Sequence, residues 1–98
     1  MSVKVFITRT VPPEKRQEML DLFKEMRSLA MTQPGYISGE TLKSNDRPDV
    51  YLVVSTWETA DAWEKWLLSK KRQSIQEKID ALLGGKTHYE MFRYGLRD

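Results

Sequence analysis

The chain has 98 residues, which is enough for one domain with a small core, and we expect residues 1–98 to form that single domain. Its composition, 40% hydrophobic and 31% charged, excludes a disordered chain, and no apolar run approaches the length needed to span a membrane. The formal net charge of +2 is too balanced to predict a nucleic-acid partner, and the lack of cysteine excludes disulfides and thiolate chemistry, so we expect a cytoplasmic protein.

Residues 3–11 begin the chain with a predicted β-strand, because they are rich in Val, Ile, Thr and Phe. Pro12 and Pro13 end the strand and start a helix that we expect to run to about residue 30. Its apolar side chains recur at helical spacing and predict one buried face, formed by Met19, Leu22, Phe23, Met26, Leu29 and Ala30.

Two further strands are predicted to follow as an antiparallel hairpin. Pro34-Gly35 has the composition of a turn, and residues 36–43 and 50–57 have the composition of strands. The polar segment 44–49 between them is short enough to link neighbouring antiparallel strands.

The second half of the chain predicts two helical stretches and a final strand. Residues 59–69 and 70–83 are expected to be helical, and Gly84-Gly85 is a strong helix stop. Residues 87–94 predict the last strand, and residues 95–98 a tail. The apolar faces of the two helices are formed by Trp63, Trp66 and Leu67 in the first and by Ile75, Ile79 and Leu82 in the second.

The order strand, helix, strand, strand, helix, strand predicts an α+β fold of the ferredoxin-like βαββαβ type. We therefore expect an antiparallel four-stranded sheet with helices on one face. The other face of such a sheet is open in a monomer and should be polar at alternate positions.

The third predicted strand does not follow that alternation. Tyr51, Val53 and Trp57 point to one side of the sheet. Leu52 and Val54 point to the other side, so both faces are apolar. An exposed apolar patch of this kind is typical of an association surface, and we expect two copies of the chain to pack sheet to sheet as a homodimer.

Three short polar motifs are weak evidence for chemistry. The segment GGKT, residues 84–87, runs from helix into strand and lacks the first glycine of a phosphate-binding loop, since Asp80 stands there. The basic run at residues 70–72 is more typical of a solvated helix face than of a phosphate-binding patch. His88 is the only histidine and forms no metal cluster alone; it is either a half-buried strand residue or a proton shuttle.

The stretch VVSTWETADAWEKWLLS, residues 53–69, holds all three tryptophans of the chain. As core residues, Trp63 and Trp66 would dock their helix on the sheet, which accounts for their spacing. Two large rings over a small sheet are also typical of the wall of a dry cleft for a small hydrophobic or aromatic molecule. The spacing alone leaves both interpretations open.

Several features resemble the antibiotic biosynthesis monooxygenase family: the element order, the Pro34-Gly35 turn, a third strand that ends in Trp57, and the segment WETADAWEKWLLS. The resemblance extends over nearly the whole chain, from about residue 3 to residue 94. Members of that family are dimeric α/β-barrel proteins with ferredoxin-like protomers. The resemblance therefore implies this fold and a homodimer.

The family is functionally mixed, and the resemblance implies three alternatives. Some members oxidise quinols or anthrone-type polyketides with O2 and without a cofactor. We expect this activity, a cofactor-independent monooxygenase for a small aromatic, quinol or polyketide-like substrate. The second alternative is a non-catalytic dimeric module of the same fold that binds a small ligand or acts as a scaffold. The third is a haem-degrading monooxygenase.

The haem-degrading branch is similar to this chain at Trp66, which falls where that branch carries its catalytic tryptophan in a W-L-x-S context. That branch also needs a histidine about ten residues later and an asparagine late in the first strand. This chain has Gln76 and Thr8 at those places. We therefore expect no haem, no other cofactor and no metal.

In the cofactor-independent branch the protein must exclude water, stack the aromatic ring and hold its anion by hydrogen bonds. Thr8 and Arg9 alternate along the first strand, so only one of them can face the cleft, and the resemblance favours Thr8. The expected catalytic residues are Trp66, Thr8 and His88, and the expected substrate-binding residues are Trp63, Trp66 and Tyr51.

Overall fold

The computed structural model describes residues 2–96, so the predicted domain 1–98 and the predicted tail at 95–98 both extend outside the described residues. In chain order the elements are β1 (Val3–Thr10), a 3-10 turn (Pro13–Lys15), α1 (Arg16–Ala30), β2 (Tyr36–Lys43), β3 (Val50–Trp57), α2 (Ala60–Leu68), α3 (Lys70–Leu83) and β4 (Tyr89–Arg93). The four-stranded antiparallel sheet has the strand order β2-β3-β1-β4. The predicted ferredoxin-like α+β fold is therefore confirmed.

The predicted boundaries differ most from the structure at two places. The first helix begins at Arg16 rather than at residue 13, because the segment after Pro12 forms a 3-10 turn first. The last strand is shorter than residues 87–94, since its ladder with β1 extends only from Tyr89 to Arg93. None of the helices within residues 2–96 has the length and apolar character needed to cross a membrane.

Helix α3 ends at the predicted glycine. Gly84 adopts a left-handed conformation with φ of 73°, which a residue without a Cβ adopts at little cost. Its N–H donates to the carbonyl of Asp80 at 2.8 Å, so one of the last helix carbonyls is satisfied.

The face of the sheet that the helices cover is called the inner face. Every second residue of β1 points to it, and Val3, Val5 and Ile7 are buried there at 2%, 0% and 5% exposure. Burial of each such side chain contributes roughly 1.5–3 kcal/mol. A one-residue shift of β1 would expose all of them, so this alternation fixes the register of the central strands.

The opposite face, called the outer face, is also apolar in part. Leu52 and Val54 of β3 are half-buried on it, although no helix within residues 2–96 covers this side. Phe6 of β1 and Phe92 of β4 meet there edge to face, with ring centroids 5.0 Å apart. The prediction that β3 presents apolar side chains to both faces is confirmed.

Candidate functional site

A small hollow lies between the inner face of the sheet and the helices. Its volume is about 50 Å³. This is room for a few water molecules, whereas sites for small organic ligands usually have at least about 300 Å³. Its walls include aromatic rings and basic side chains, among them Tyr36, Trp57, Trp63, Trp66, Arg9, Arg27 and Arg72.

The aromatic wall of the hollow is a chain of ring contacts. Trp57 is completely buried, and its ring lies 5.4 Å from that of Tyr36 and 5.9 Å from that of Trp63. Such pairs contribute about 0.5–1.5 kcal/mol each beyond the area that they bury. Trp63 and Trp66 are also buried, at 4% and 3% exposure, so they are core residues that border the hollow as well.

Arg72 brings a buried cation to this wall. Its guanidinium carbon lies 5.3 Å from the ring centroid of Trp63 and 4.8 Å from that of Tyr89. The residue is only 2% exposed, whereas Lys70 and Lys71 are exposed. The prediction of a solvated helix face at residues 70–72 was therefore wrong for Arg72. This residue lies on the same side of α3 as Ile75 and Gln76, which are also buried.

Arg9 is a second buried cation, 7% exposed, on the inner face of β1. Its Nη2 donates to Oε1 of Gln76 at 3.4 Å, and its guanidinium carbon lies 5.5 Å from the ring centroid of Phe23. Burial is the largest of the causes that lower the pKa of Arg9 from its usual value to about 10. Arg72 lowers this pKa as well, while Tyr89 and Asp80 act in the opposite direction.

Gln76 of α3 forms hydrogen bonds from both ends of its side-chain amide. Its Oε1 accepts from the hydroxyl of Tyr89 at 2.9 Å as well as from Arg9. Its Nε2 donates to Oδ1 of Asp80 at 2.8 Å and to the hydroxyl of Thr87. The whole amide is therefore engaged, and this residue does not fit the role of the iron-binding histidine of the haem-degrading branch.

The residues that the structure describes give no support for the binding of a metal ion either. They contain no group of three or more His, Cys, Asp or Glu side chains that could hold a metal ion. His88 is exposed on the segment before β4. The polar chemistry of the hollow is therefore that of arginine, amide and hydroxyl groups.

Ser69 joins the tryptophan helix to the arginine helix. It follows α2 and precedes α3, so the two helices meet without a loop. Its hydroxyl donates to the carbonyl of Trp66 at 2.8 Å and accepts from the backbone N–H of Arg72 at 3.2 Å. Ser69 is therefore the N-cap of α3, and its two hydrogen bonds fix the backbone at Trp66 relative to the backbone at Arg72.

A wider surface groove adjoins the hollow. It has a volume of about 490 Å³ between α1 and β2, and it shares Phe23, Arg27 and Thr41 with the lining of the hollow. Arg27 lies across this boundary and donates to the carbonyl of Gly39 at 3.1 Å and to the hydroxyl of Thr41 at 3.0 Å. The absence of a side chain at Gly39 permits this approach, because a Cβ there would lie 3.0 Å from Nε of Arg27.

The structure brings only some of the predicted site residues together. Trp63 and Trp66 line the hollow, whereas Tyr51 is buried in the neighbouring cluster, with its ring 6.2 Å from that of Phe23. Thr8 is exposed on the outer face, in a groove of about 360 Å³. The choice of Thr8 for the cleft beneath the tryptophans is corrected to Arg9, because the buried residues of β1 place the odd-numbered positions inward.

Three residues of this region were not among the predicted site residues: Arg9, Arg72 and Gln76. The sequence of β1 indicates an inward Arg9, because Val3, Val5 and Ile7 are apolar at alternate positions and position 9 is the next in that series. Helical spacing contains a signal for the others, since positions 72 and 76 flank the predicted apolar stripe of α3.

The strand order, the helices on one face and the indole-walled hollow define a ferredoxin-like domain with an inner aromatic site region. Residues 2–78 match the family described as antibiotic biosynthesis monooxygenase, and the chain belongs to this family.

Curated proteins from Streptomyces are similar to most of this chain. A protein described as the 42.8 kDa protein in the whiE locus of Streptomyces coelicolor is 27% identical over 77 residues, which are 79% of this chain and 19% of that protein. The chain spans about a fifth of the length of the curated relatives that it matches.

Two solved structures share the fold. One is a conserved protein from Methanosarcina mazei Go1, with a TM-score of 0.87, 19% identity, and coverage of 95% of this chain and 92% of that one. The other is a variant of SnoaB, a cofactor-independent oxygenase from Streptomyces nogalater, with a TM-score of 0.86, 19% identity, and coverage of 98% and 95%.

Proposed function

We propose that the protein is a cofactor-independent monooxygenase that uses O2 to oxidise a small aromatic, quinol or polyketide-like molecule. The observation that carries this proposal is the hollow walled by Trp63 and Trp66 in a chain of the antibiotic biosynthesis monooxygenase family. The likeness to SnoaB, which is described as a cofactor-independent oxygenase, supports it.

In this reaction the substrate supplies all the electrons. When a ring CH2 group becomes C=O, one atom of O2 enters the product and the other leaves as water with the two hydrogens of the CH2 group. The step begins with loss of a proton, and the resulting anion transfers electrons to O2. The protein must hold that anion and keep water out, because a dry site strengthens the hydrogen bonds to it.

Within the proposed function, Trp63 and Trp66 stack on the substrate ring. The catalytic role expected for His88 and the substrate contact expected for Tyr51 stay predictions. Thr8 lies on the outer face, so a catalytic role for Thr8 would place chemistry outside the hollow. Thr8→Val, His88→Ala and Tyr51→Phe test them one at a time. The cytoplasmic location also stays a prediction.

We also propose that the outer face is the contact surface of a homodimer. Phe6, Leu52, Val54 and Phe92 give this face an apolar surface without a covering helix within residues 2–96. Proteins of the family are typically dimeric. Analytical ultracentrifugation should give a species of twice the 11.5 kDa of one chain, and a single species of 11.5 kDa at working concentration would contradict the proposal.

A dimeric small-ligand-binding or scaffold module without turnover is the second candidate. The volume of the hollow favours the scaffold form of this candidate, because about 50 Å³ does not hold an aromatic ring system unless the walls move. Oxygen uptake separates this candidate from the first, because only the enzyme consumes O2.

The test is oxygen uptake with a panel of quinols and anthrones. We expect uptake with at least one of them, and a decrease of kcat/KM of at least about tenfold in Trp66→Phe, which removes part of the ring surface on which the substrate stacks. Leu68→Ala is the control on the same helix, because Leu68 is 69% exposed, and it should leave the rate unchanged. No uptake with any compound, together with retained ligand binding, would favour the binding module.

Haem titration tests the third alternative separately. We expect no stoichiometric complex, because Gln76 stands in the place of the iron-binding histidine and its amide is fully engaged. A shifted Soret band that saturates at one haem per chain would contradict this expectation.

A further inference from the structure

Two arginine side chains face the inner hollow without a carboxylate partner. Arg9 and Arg72 are 7% and 2% exposed, and their Nε atoms are buried with no hydrogen-bond partner in the part of the chain that the structure describes. Neither forms an ion pair there; the ion pair found within residues 2–96 joins Arg16 to Asp49 on the surface, at 3.8 Å. Of the three arginines that line the hollow, the two buried ones therefore have a hydrogen-bonding capacity that the described part of the protein does not use.

The burial of these two guanidinium groups has a cost for the folded protein. A buried guanidinium loses its hydration, and without a counter-ion that loss is not offset. The contacts of Arg72 with the rings of Trp63 and Tyr89 recover part of it. The two cations also act on each other, since Arg72 lowers the pKa of Arg9 in addition to burial.

The carboxylate of Asp80 does not remove this imbalance. Asp80 acts on Arg9 through its charge, but its Oδ1 accepts from Gln76 at 2.8 Å and from Thr87 at 3.0 Å. It is therefore engaged elsewhere and forms no ion pair with Arg9. Groups that are held at such a cost are typical of binding sites, where the ligand supplies the missing interaction.

We propose that Arg9 and Arg72 form the anion-binding end of the site and hold the negatively charged oxygen of a flat aromatic ligand. The planar fork of a guanidinium suits a phenolate, an enolate or a carboxylate, and charge-assisted hydrogen bonds to such oxygens are strong. Most of the other lining side chains are apolar or aromatic, with Trp63 and Trp66 placed to stack on the ring that carries the charge. The identity of this ligand as the substrate rests on the proposed function.

The ligand is larger than the hollow and extends into the adjoining groove of about 490 Å³. The boundary is the half-buried side chain of Arg27, which two hydrogen bonds hold to β2. The ligand reaches the groove when this side chain rotates outward. The charged end of the ligand then lies inside, at the buried arginines, and its rings extend toward α1.

The experiment compares two probes of the same shape, 2-naphthoate and the uncharged 2-naphthamide, by isothermal titration calorimetry under nitrogen. We expect the wild-type protein to bind 2-naphthoate at least about tenfold more tightly, as a charge-assisted hydrogen bond predicts. Arg9→Met and Arg72→Met should each reduce this preference to less than about threefold and leave the affinity for 2-naphthamide unchanged, since Met fills the space without the charge. Arg47→Met, at an exposed position in the β2–β3 turn, is the control and should retain the full preference.

Equal affinity of the wild-type protein for both probes, no binding of either probe, or a full preference in both Met variants would overturn the inference. Circular dichroism shows whether each variant is folded. If one is not, the thermal melting of the wild-type protein decides, because 2-naphthoate should raise its Tm more than 2-naphthamide at equal concentration. Oxygen uptake without a preference for the anionic probe would overturn this inference and leave the proposed function standing. A preference for the anionic probe without oxygen uptake would support this inference and count against the proposed function.

Discussion

The inner and outer faces of the sheet are both apolar, but they differ in the polar groups that they contain. The inner face is covered by the chain's own helices and holds two buried guanidinium groups among three buried indoles. The outer face has no helix over it within residues 2–96, and its polar groups include Lys4 and Thr56, joined by a hydrogen bond from Nζ to the hydroxyl at 3.0 Å. Apolar area alone does not separate a ligand site from an association surface; the buried cations do.

Trp57→Ala gives the largest expected effect, because this ring is completely buried and contacts the rings of Tyr36 and Trp63. We expect the free energy of unfolding to fall by about 3–5 kcal/mol. Urea denaturation measures it, with Phe92→Ala as the comparison on the outer face. The loss in Phe92→Ala should depend on protein concentration, because it acts through association. An equally large loss that is independent of concentration would remove the distinction between the faces.

Gly35→Ala tests how closely the turn before β2 packs against α2. Gly35 has φ of 85°, and an added Cβ would lie 2.5 Å from Cβ of Ala62. Backbone strain and overpacking together should lower the free energy of unfolding by about 3 kcal/mol. Gly85→Ala is the matched control, with nothing within 4 Å of the added Cβ, and should change stability by less than about 0.5 kcal/mol. Similar losses in the two variants would show that contact with α2 is not the cause.

Val54→Asp places a charge in the middle of the outer face. We expect the dissociation constant of the homodimer to rise at least about 100-fold, since a buried charge without a partner costs several kcal/mol. The far-UV circular dichroism should not change, because no helix within residues 2–96 covers this side. Asn45→Asp adds the same charge at the exposed β2–β3 turn and should leave association unchanged. Sedimentation measures the dissociation constant of both variants. A Val54→Asp dimer as tight as that of the wild type would show that the interface lies elsewhere.

Ser69→Ala gives the smallest expected change in stability, a loss of about 1 kcal/mol, which is typical of a lost N-cap. Ser69→Thr retains the hydroxyl and is the control. Because the hydroxyl also bonds the carbonyl of Trp66, the alanine variant should in addition weaken the preference for an anionic probe. A stability loss in Ser69→Ala with an unchanged preference would show that the cap acts on the helix alone.

Most of the fold could be predicted from the sequence, because each element carries a local signal. The strand composition of residues 36–43 and 50–57 and the glycine stop at Gly84 correspond directly to the observed β2, β3 and the end of α3. The start of α1 and the length of β4 were less predictable. The 3-10 turn after Pro12 depends on how the chain enters the helix, and the ladder of β4 depends on where β1 pairs with it.

The candidate site was less predictable, because it depends on the direction of single side chains. A choice between Thr8 and Arg9 requires the phase of β1, which the buried residues before them determine only when that strand is read as a whole. Arg72 follows two exposed lysines and is separated from them only by its rotational position on α3. Charge composition cannot distinguish a solvated arginine from one that neighbouring rings cover.

The junction at Ser69 has a consequence for how this protein can change in length. Since α2 and α3 meet at one residue, an insertion or deletion there would rotate α3 by about 100° about its axis for each residue. The arginine at position 72 would then leave the tryptophan helix and point to solvent. Sequence drift in the β2–β3 turn has no such effect, so we expect this junction, and not that turn, to keep a constant number of residues in any relative that uses the same pair of side chains.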